Sequence, residues 1–442
     1  VICVAASVAR RRGRYALTVR SPLPLVAALI VMAGCRDRSS RPRPAPVDAA
    51  LVTPADATPS GDPSLDAWRA DLATVVETLV RRHPAPFHYT PEPAFRAAVA
   101  AFERALPTLT REQRIAGLAQ IVALIHDGHT QVFLDGFERL LRLPIEVRWF
   151  RDAAIVTAAA PAHAWAIGGR VTAVGGQPIA VAADRLTATV GFQADGFRRE
   201  RLGERVTSVV FLRGVGLAPP DGPARFEVVD RAGVVRPLEV EIGPLPPSAA
   251  GADAPLRRQE GGRYYWSRYL PDADAVYLSY RRCNPDPRQA MAELVAEVGA
   301  SLAAHPRARL VVDLRDNGGG DSTVLAPLYD VLAAHPHVRI AALIGPATFS
   351  SGITAAIDLD RRGALLIGEP AGSPATMYGQ TTTDKLPGAR LKLQYSTRTY
   401  TFADYPGPAL APEVEIVLGA DDHLAGRDPA LAHALTTALP AR

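Results

Sequence analysis

Cysteine is scarce in this chain: three in 442 residues, two of them, Cys3 and Cys35, close to the amino terminus. Cys283 is therefore left without an intrachain disulfide partner in the body of the sequence. It follows the strand-like run Ala275 to Tyr280 with no oxyanion loop evident beside it, which marks it as a structural thiol. Membrane-length apolar runs are lacking as well: Leu23 to Ala33 falls short of the roughly 20 residues a spanning helix needs. A basic face is also absent. Residues 1–44 hold nine arginines against Asp37 alone, so the remainder of a chain whose total is +4 is net acidic. That excludes a nucleic-acid footprint on the folded part. Lysine is reduced to Lys385 and Lys392, an arginine bias that is compositional. Neither His83 with His88 nor His335 with His337 has metal-ligand spacing to acids or cysteines, so no metal and no cofactor is expected.

What is present begins with an export signal. Arg10, Arg11, Arg12, Arg14 and Arg20 precede the apolar segment, and Met32-Ala33-Gly34-Cys35 follows it. This pattern resembles a bacterial lipoprotein box, with residues 1–35 as the signal peptide and Cys35 as the lipidated residue, exposed to the periplasm. Residues 36–63 are rich in Pro, Arg, Ser, Ala and Asp, the composition of a flexible tether.

Hydrophobic residues at 48% and charged residues at 21% leave enough apolar material for two or three domains. Asp62-Pro63 predicts a helix start, followed by Leu65, Trp68, Leu72, Val75, Val76 and Leu79 on one face. Phe95, Val99, Phe102 and Leu106 predict a second helix, and Thr110 with Gln113 predicts a capping box for a third. Asp127 to Thr130 then sits on the turn leaving a helical domain, 64–135. Residues 142–242 switch to Val- and Gly-rich alternation, which is strand and turn chemistry, and 243–262 read as a linker. From 263 to 438, strand and helix signals alternate, as expected of a helix-covered α/β core.

Two strand-like runs in that core end in chemistry. Leu310 to Leu314 breaks into Gly318-Gly-Gly320, where amide N–H groups free of side chains can approach an oxyanion. Ile340 to Gly345 leads to Thr348-Phe-Ser-Ser-Gly352, placing Ser350 at a helix start, where unpaired N–H groups and the dipole suit the same charge. Rossmann and Walker spacings are absent around the glycines, and the glycine two residues before the serine of an α/β-hydrolase is Thr348 here. That competing class would use Ser350, Asp404 and His423.

At Asp313-Leu-Arg-Asp-Asn-Gly-Gly-Gly320, Thr348-Phe-Ser-Ser-Gly352, Ile367-Gly-Glu-Pro370 and Asp127-Gly-His-Thr130 the chain resembles the C-terminal processing (tail-specific) peptidases and the tricorn protease core. The likeness covers about residues 65–435. It implies an α/β fold: a ClpP/crotonase-like core preceded by the helical domain and a PDZ-like segment, 142–242. It also implies a serine peptidase acting on peptides or unfolded proteins through an acyl-enzyme. Within it Ser350 matches the nucleophile, and the amides of Ser351 and of Gly318 or Gly319 match the oxyanion hole. The lysine of the Ser–Lys branch is missing, since Gly372 to Tyr378 occupies its place, so the resemblance turns to the tricorn-like branch with His129 as base. Gly128 stands where that branch has serine, and Asp404 is the best match for the acid. His126, next to the apolar Ile125 at the helix end, is the rival histidine and reads as a partner of the helix dipole. A catalytically degenerate peptide- or ligand-binding protein on the same scaffold is the alternative.

Overall fold

A computed structural model of the chain describes residues 63–135, 139, 141–244 and 254–441. Cys35, the signal segment and the tether as far as residue 62 lie outside the described residues.

Three helices come first: α1 (Leu65–Arg82), α2 (Glu92–Ala105) and α3 (Arg111–Ala123). Helix α1 starts later than Asp62-Pro63 suggests, because Ser64 is its cap, accepting from the Ala67 amide at 3.2 Å. The capping box of α3 is formed as expected, with Thr110 and Gln113 bonded reciprocally. A short strand follows, β1 (Gln131–Leu134).

Next come β2 (Ile145–Trp149), β3 (Ala154–Ala159), β4 (Arg170–Val174), β5 (Gln177–Pro178), α4 (Ile179–Thr187), α5 (Asp195–Val206), α6 (Val209–Gly214), β6 (Ala224–Val229) and β7 (Val235–Val240). They build an antiparallel sheet of order β2-β3-β4-β6-β7, with β5 hairpinned onto β4. This sheet and the three helices bury one continuous core, from Trp68, Phe95 and Leu118 to Val156, Phe211 and Val228. Residues 256–258, placed in a linker by composition, instead form a 3₁₀ turn whose Arg257 binds Asp316 at 2.8 Å.

The remainder runs β8 (Tyr265–Leu270), β9 (Ala275–Tyr280), α7 (Met291–Ala304), β10 (Arg309–Asp313), α8 (Ala326–Ala334), β11 (Ile340–Ile344), α9 (Ser351–Asp360), β12 (Leu365–Gly368), β13 (Met377–Leu386), β14 (Leu391–Tyr400), β15 (Val414–Glu415), α10 (Ala420–Leu424) and α11 (Pro429–Thr436). The sheet order is β15-β12-β11-β10-β9-β8, parallel throughout except at β8. Alternation sorts its side chains into two layers. Leu278, Leu310, Val312, Ile340 and Ala342 pack with α7, α8 and α9, while Tyr277, Val311, Ala341 and Leu343 pack with α11. Because Leu310 pairs with Ile340 and Asp313 with Leu343, β10 and β11 end level. The glycine loop and the Ser350 loop therefore leave the sheet side by side.

One pairing crosses the expected boundaries. The hairpin β13–β14 joins β1, with Gln131 opposite Gln394, and its Leu386, Leu391, Leu393 and Tyr395 belong to the core of the helical segment.

Candidate active site

Ser350 sits between β11 and α9 with φ 55° and ψ −126°. A non-glycine residue held there costs about 1–3 kcal/mol, so the surroundings must impose it. Those surroundings are visible. Thr348 Oγ1 donates to the Leu314 carbonyl at 2.8 Å and accepts from the Gly345 amide at 2.9 Å, and the Phe349 amide bonds Asn317 O at 2.9 Å. The elbow is thus laced to the end of β10. Ser350 makes no capping hydrogen bond with its side chain, although it occupies the cap position of α9. A plain N-cap serine would make one.

The glycine loop is held by Asn317, whose Oδ1 accepts from the Gly319 amide at 2.9 Å and whose Nδ2 donates to Tyr280 O at 2.8 Å. Cys283 lies beneath it: the thiol donates to Asn317 Oδ1 at 3.3 Å, and the Cys283 amide bonds Gly319 O at 2.9 Å. Burial pushes this thiol's pKa up, which suits the structural role. Gly319 has φ 101°, and a Cβ there would meet Ser350 Cβ at 2.5 Å. Its function is close approach. The Gly319 amide is already committed to Asn317, whereas the Gly318 N–H has no partner among the described residues. The Ser351 amide, first in α9, is likewise unpartnered among them. The Ser351 hydroxyl is not idle, for it donates to Gly320 O at 2.6 Å and ties the two loops together.

Across the cleft, His129 is buried at the start of β1, with its ring against Phe349 at 4.4 Å. Among the described residues neither ring nitrogen has a hydrogen-bond partner; Nδ1 lies 3.6 Å from Asp127 Oδ1, at the edge of a bond. Asp127 is fully buried. Its Oδ1 accepts from the His129 amide at 3.0 Å, and its Oδ2 accepts from Thr130 Oγ1 and Ser396 Oγ, both at 2.6 Å, with His83 Nε2 at 3.3 Å. Burial alone would raise the pKa of this carboxyl; its contacts with the His129 and His83 rings and the Ser396 bond outweigh it and hold the pKa far below the usual carboxylate range. The hairpin steadies the same turn, with Gln394 Nε2 donating to His129 O at 2.9 Å. Gly128 is fixed by space, because a Cβ there would meet Phe349 Cζ at 2.9 Å and Phe197 Cε1 at 3.3 Å. A serine at this position would have to displace the Phe349 ring.

Ser350, Ser351, Gly318, His129 and Tyr378 line one cleft of about 430 Å³. Asp404 does not join them. It is exposed and paired with Arg361 at 3.2 Å, beyond the carboxyl end of α9, while Ser350 stands at the opposite end. The expectation that Asp404 lies against His129 is corrected: the carboxylate beside that ring is Asp127, two residues from the histidine. His423 is also elsewhere, against Arg258 at 2.7 Å, and His126 stacks on Tyr89 at 3.5 Å without lining the cleft. Neither lysine lines it: Lys385 is exposed and Lys392 pairs with Asp135 at 3.0 Å.

Neither a protein-family model nor a curated protein matches this sequence. Solved structures do. Mature CPAF complexed with lactacystin is 13% identical, with a TM-score of 0.59 over 84% of this chain and 97% of that one. Mature CPAF alone is 12% identical, with a TM-score of 0.56 over 84% of this chain and 96% of that one. At that identity the likeness is one of fold: the α/β architecture built around the cleft is shared with CPAF.

Proposed function

We propose that this chain is a serine peptidase in which Ser350 attacks a peptide carbonyl and His129 takes its proton. Asp127 orients the imidazole and stabilises its charged form, and the Gly318 and Ser351 amides hold the tetrahedral oxyanion. The observation that carries this reading is the strained, uncapped Ser350 facing unpartnered amides in the cleft that His129 also lines. Strain of 1–3 kcal/mol at a residue with no capping duty points to a serine presented for chemistry. His129 and Ser350 are not yet bonded, and in a free site such contacts tighten when substrate binds. Within this proposal the parallel sheet with α7–α9 is a ClpP/crotonase-like core, residues 142–242 are a PDZ-like unit, and the branch is the tricorn-like one that needs no lysine.

The substrate class is peptides or unfolded proteins, supported by the likeness of motifs and by the polar lining that Gln131, Gln380, Thr381 and Gln394 give the cleft. Hydrolysis of a denatured protein substrate by the purified chain, lost in Ser350→Ala, tests it; hydrolysis unchanged in Ser350→Ala would refute it. A lipid on Cys35 belongs to the same proposal and rests on the sequence from Arg10 to Cys35. Among the described residues no helix is long and apolar enough to cross a membrane. Partition of the wild type, but not Cys35→Ser, into the detergent phase of cell extracts is the expected result.

A further inference from the structure

His83 is fully buried at the carboxyl end of α1, 44 residues before Asp127 and outside every motif discussed so far. The following Pro84 disfavours helical backbone at this position, and His83 leaves the helix extended at φ −70° and ψ 133°. Both of its ring nitrogens are engaged. The Ala85 amide donates to Nδ1 at 3.2 Å, while Nε2 lies 3.3 Å from Asp127 Oδ2. A backbone amide can only donate, so Nδ1 must present its lone pair. The proton is then on Nε2, and His83 donates it to Asp127 as a neutral ring.

That assignment matters for the charge facing His129. A cationic His83 would compensate Asp127 from behind, leaving less negative charge to stabilise an imidazolium at His129. The Ala85 amide opposes that state by occupying the nitrogen that would be protonated. The other groups around His83 are Tyr378 of β13 with its ring at 4.8 Å, His88 at 6.3 Å, and Arg82, which is turned away to Tyr395 at 3.0 Å. None of them offers Asp127 a hydrogen bond. On Oδ2, His83 donates from the cap of α1, while Thr130 approaches from the turn before β1 and Ser396 from β14.

We infer that His83 is a positioning residue: as a neutral Nε2–H donor it fixes the Asp127 carboxylate from behind, so that Oδ1 stays aimed at Nδ1 of His129. The inference rests on the peptidase reading for its consequence in catalysis, but the tautomer and the effect on His129 can be read without turnover.

The experiment uses the full chain labelled with ¹⁵N in histidine, and two variants, His83→Leu, which keeps bulk without a donor, and His83→Gln, which restores an amide donor. In the wild type, His83 is expected to show the neutral Nε2-protonated imidazole signature across the neutral pH range. A charged ring or an Nδ1-protonated tautomer in that range overturns the inference and requires no variant to fold. In His83→Leu the ¹⁵N ring signals of His129 should move, because the carboxylate oxygen beside its Nδ1 is no longer fixed from behind. Fluorophosphonate labelling of Ser350 should slow about tenfold, the scale of one hydrogen bond to a charged group. His83→Gln should return most of both. Unmoved His129 ring signals in His83→Leu, or equal defects in Leu and Gln, would show a merely structural residue. If the wild type fails to label while His129 still responds to His83, the peptidase reading falls and the positioning role stands.

Discussion

Asp127 concentrates its electrostatic work in two atoms, and removing its charge should be costly in a way that removing Asp404's is not. In Asp127→Asn an amide nitrogen would face the donors Thr130 and Ser396, or, turned over, would face His129; either way a buried donor loses its acceptor, at about 1–3 kcal/mol. Peptide hydrolysis should fall at least 100-fold in Asp127→Asn and remain near wild type in Asp404→Asn, whose carboxylate is exposed and bound only to Arg361. Loss of activity in the second variant with retention in the first would reverse the assignment. The positions of Ser350, His129 and the glycines were legible in the sequence because each belongs to a short motif. Asp127 stood in the same motif as His129, yet no role could be read for it. A carboxylate two residues from a histidine reaches it only if the turn folds its backbone amide onto the carboxylate, as the His129 N–H to Asp127 Oδ1 bond does here. His83 was further out of reach, since its partner is brought to it by the packing of α1.

The strands of the parallel sheet could be read almost to the residue, Ala275–Tyr280 and Ile340–Ile344 among them, because buried parallel strands are short, unbroken apolar runs. The hairpin β13–β14 went unread. Leu391, Leu393 and Tyr395 do alternate with Lys392, Gln394 and Ser396, but nothing local reveals that the partner strand is β1, more than 250 residues earlier. The pairing carries Ser396 and Gln394 to the His129 turn, so a hairpin variant should disturb catalysis without touching substrate. Ser396→Ala is expected to lower turnover several-fold with little change in secondary structure by circular dichroism. Between the loops, the bond from the Ser351 hydroxyl to Gly320 O predicts that Ser351→Ala loses about tenfold in turnover through loosening of the glycine loop. Gly319→Ala should be far worse: its φ of 101° and the 2.5 Å approach to Ser350 Cβ leave no room for a methyl group. Kinetics of Gly319→Ala near those of wild type would mean that the loop and the elbow do not meet as described.

At the scale of the molecule, acid should weaken the fold through His423. Burial first, and then the charge of Arg258, lower its pKa from 6.5 to about 3. The unfolded chain therefore binds this proton below about pH 6.5 and the folded chain only near pH 3, so stability is full above pH 6.5 and declines between the two. The melting temperature should fall less between pH 7.5 and 5 in His423→Gln than in the wild type; an identical decline in both would remove His423 as a cause. Helical and antiparallel segments that composition separates at residue 135 share one core, and the C-terminal hairpin completes it, so domain boundaries drawn on texture do not coincide with boundaries in packing. Such a scaffold could support catalysis or only binding, and the central claim is that Ser350 is an activated nucleophile. The most direct measurement is covalent modification of the full chain by a fluorophosphonate, with the adduct located by peptide mass spectrometry. The account predicts one adduct, on Ser350, formed 10²–10⁴-fold more slowly in His129→Ala and no more slowly in Lys385→Ala or Lys392→Ala. An unmodified Ser350 in a folded chain, or an adduct whose rate ignores His129, would contradict it.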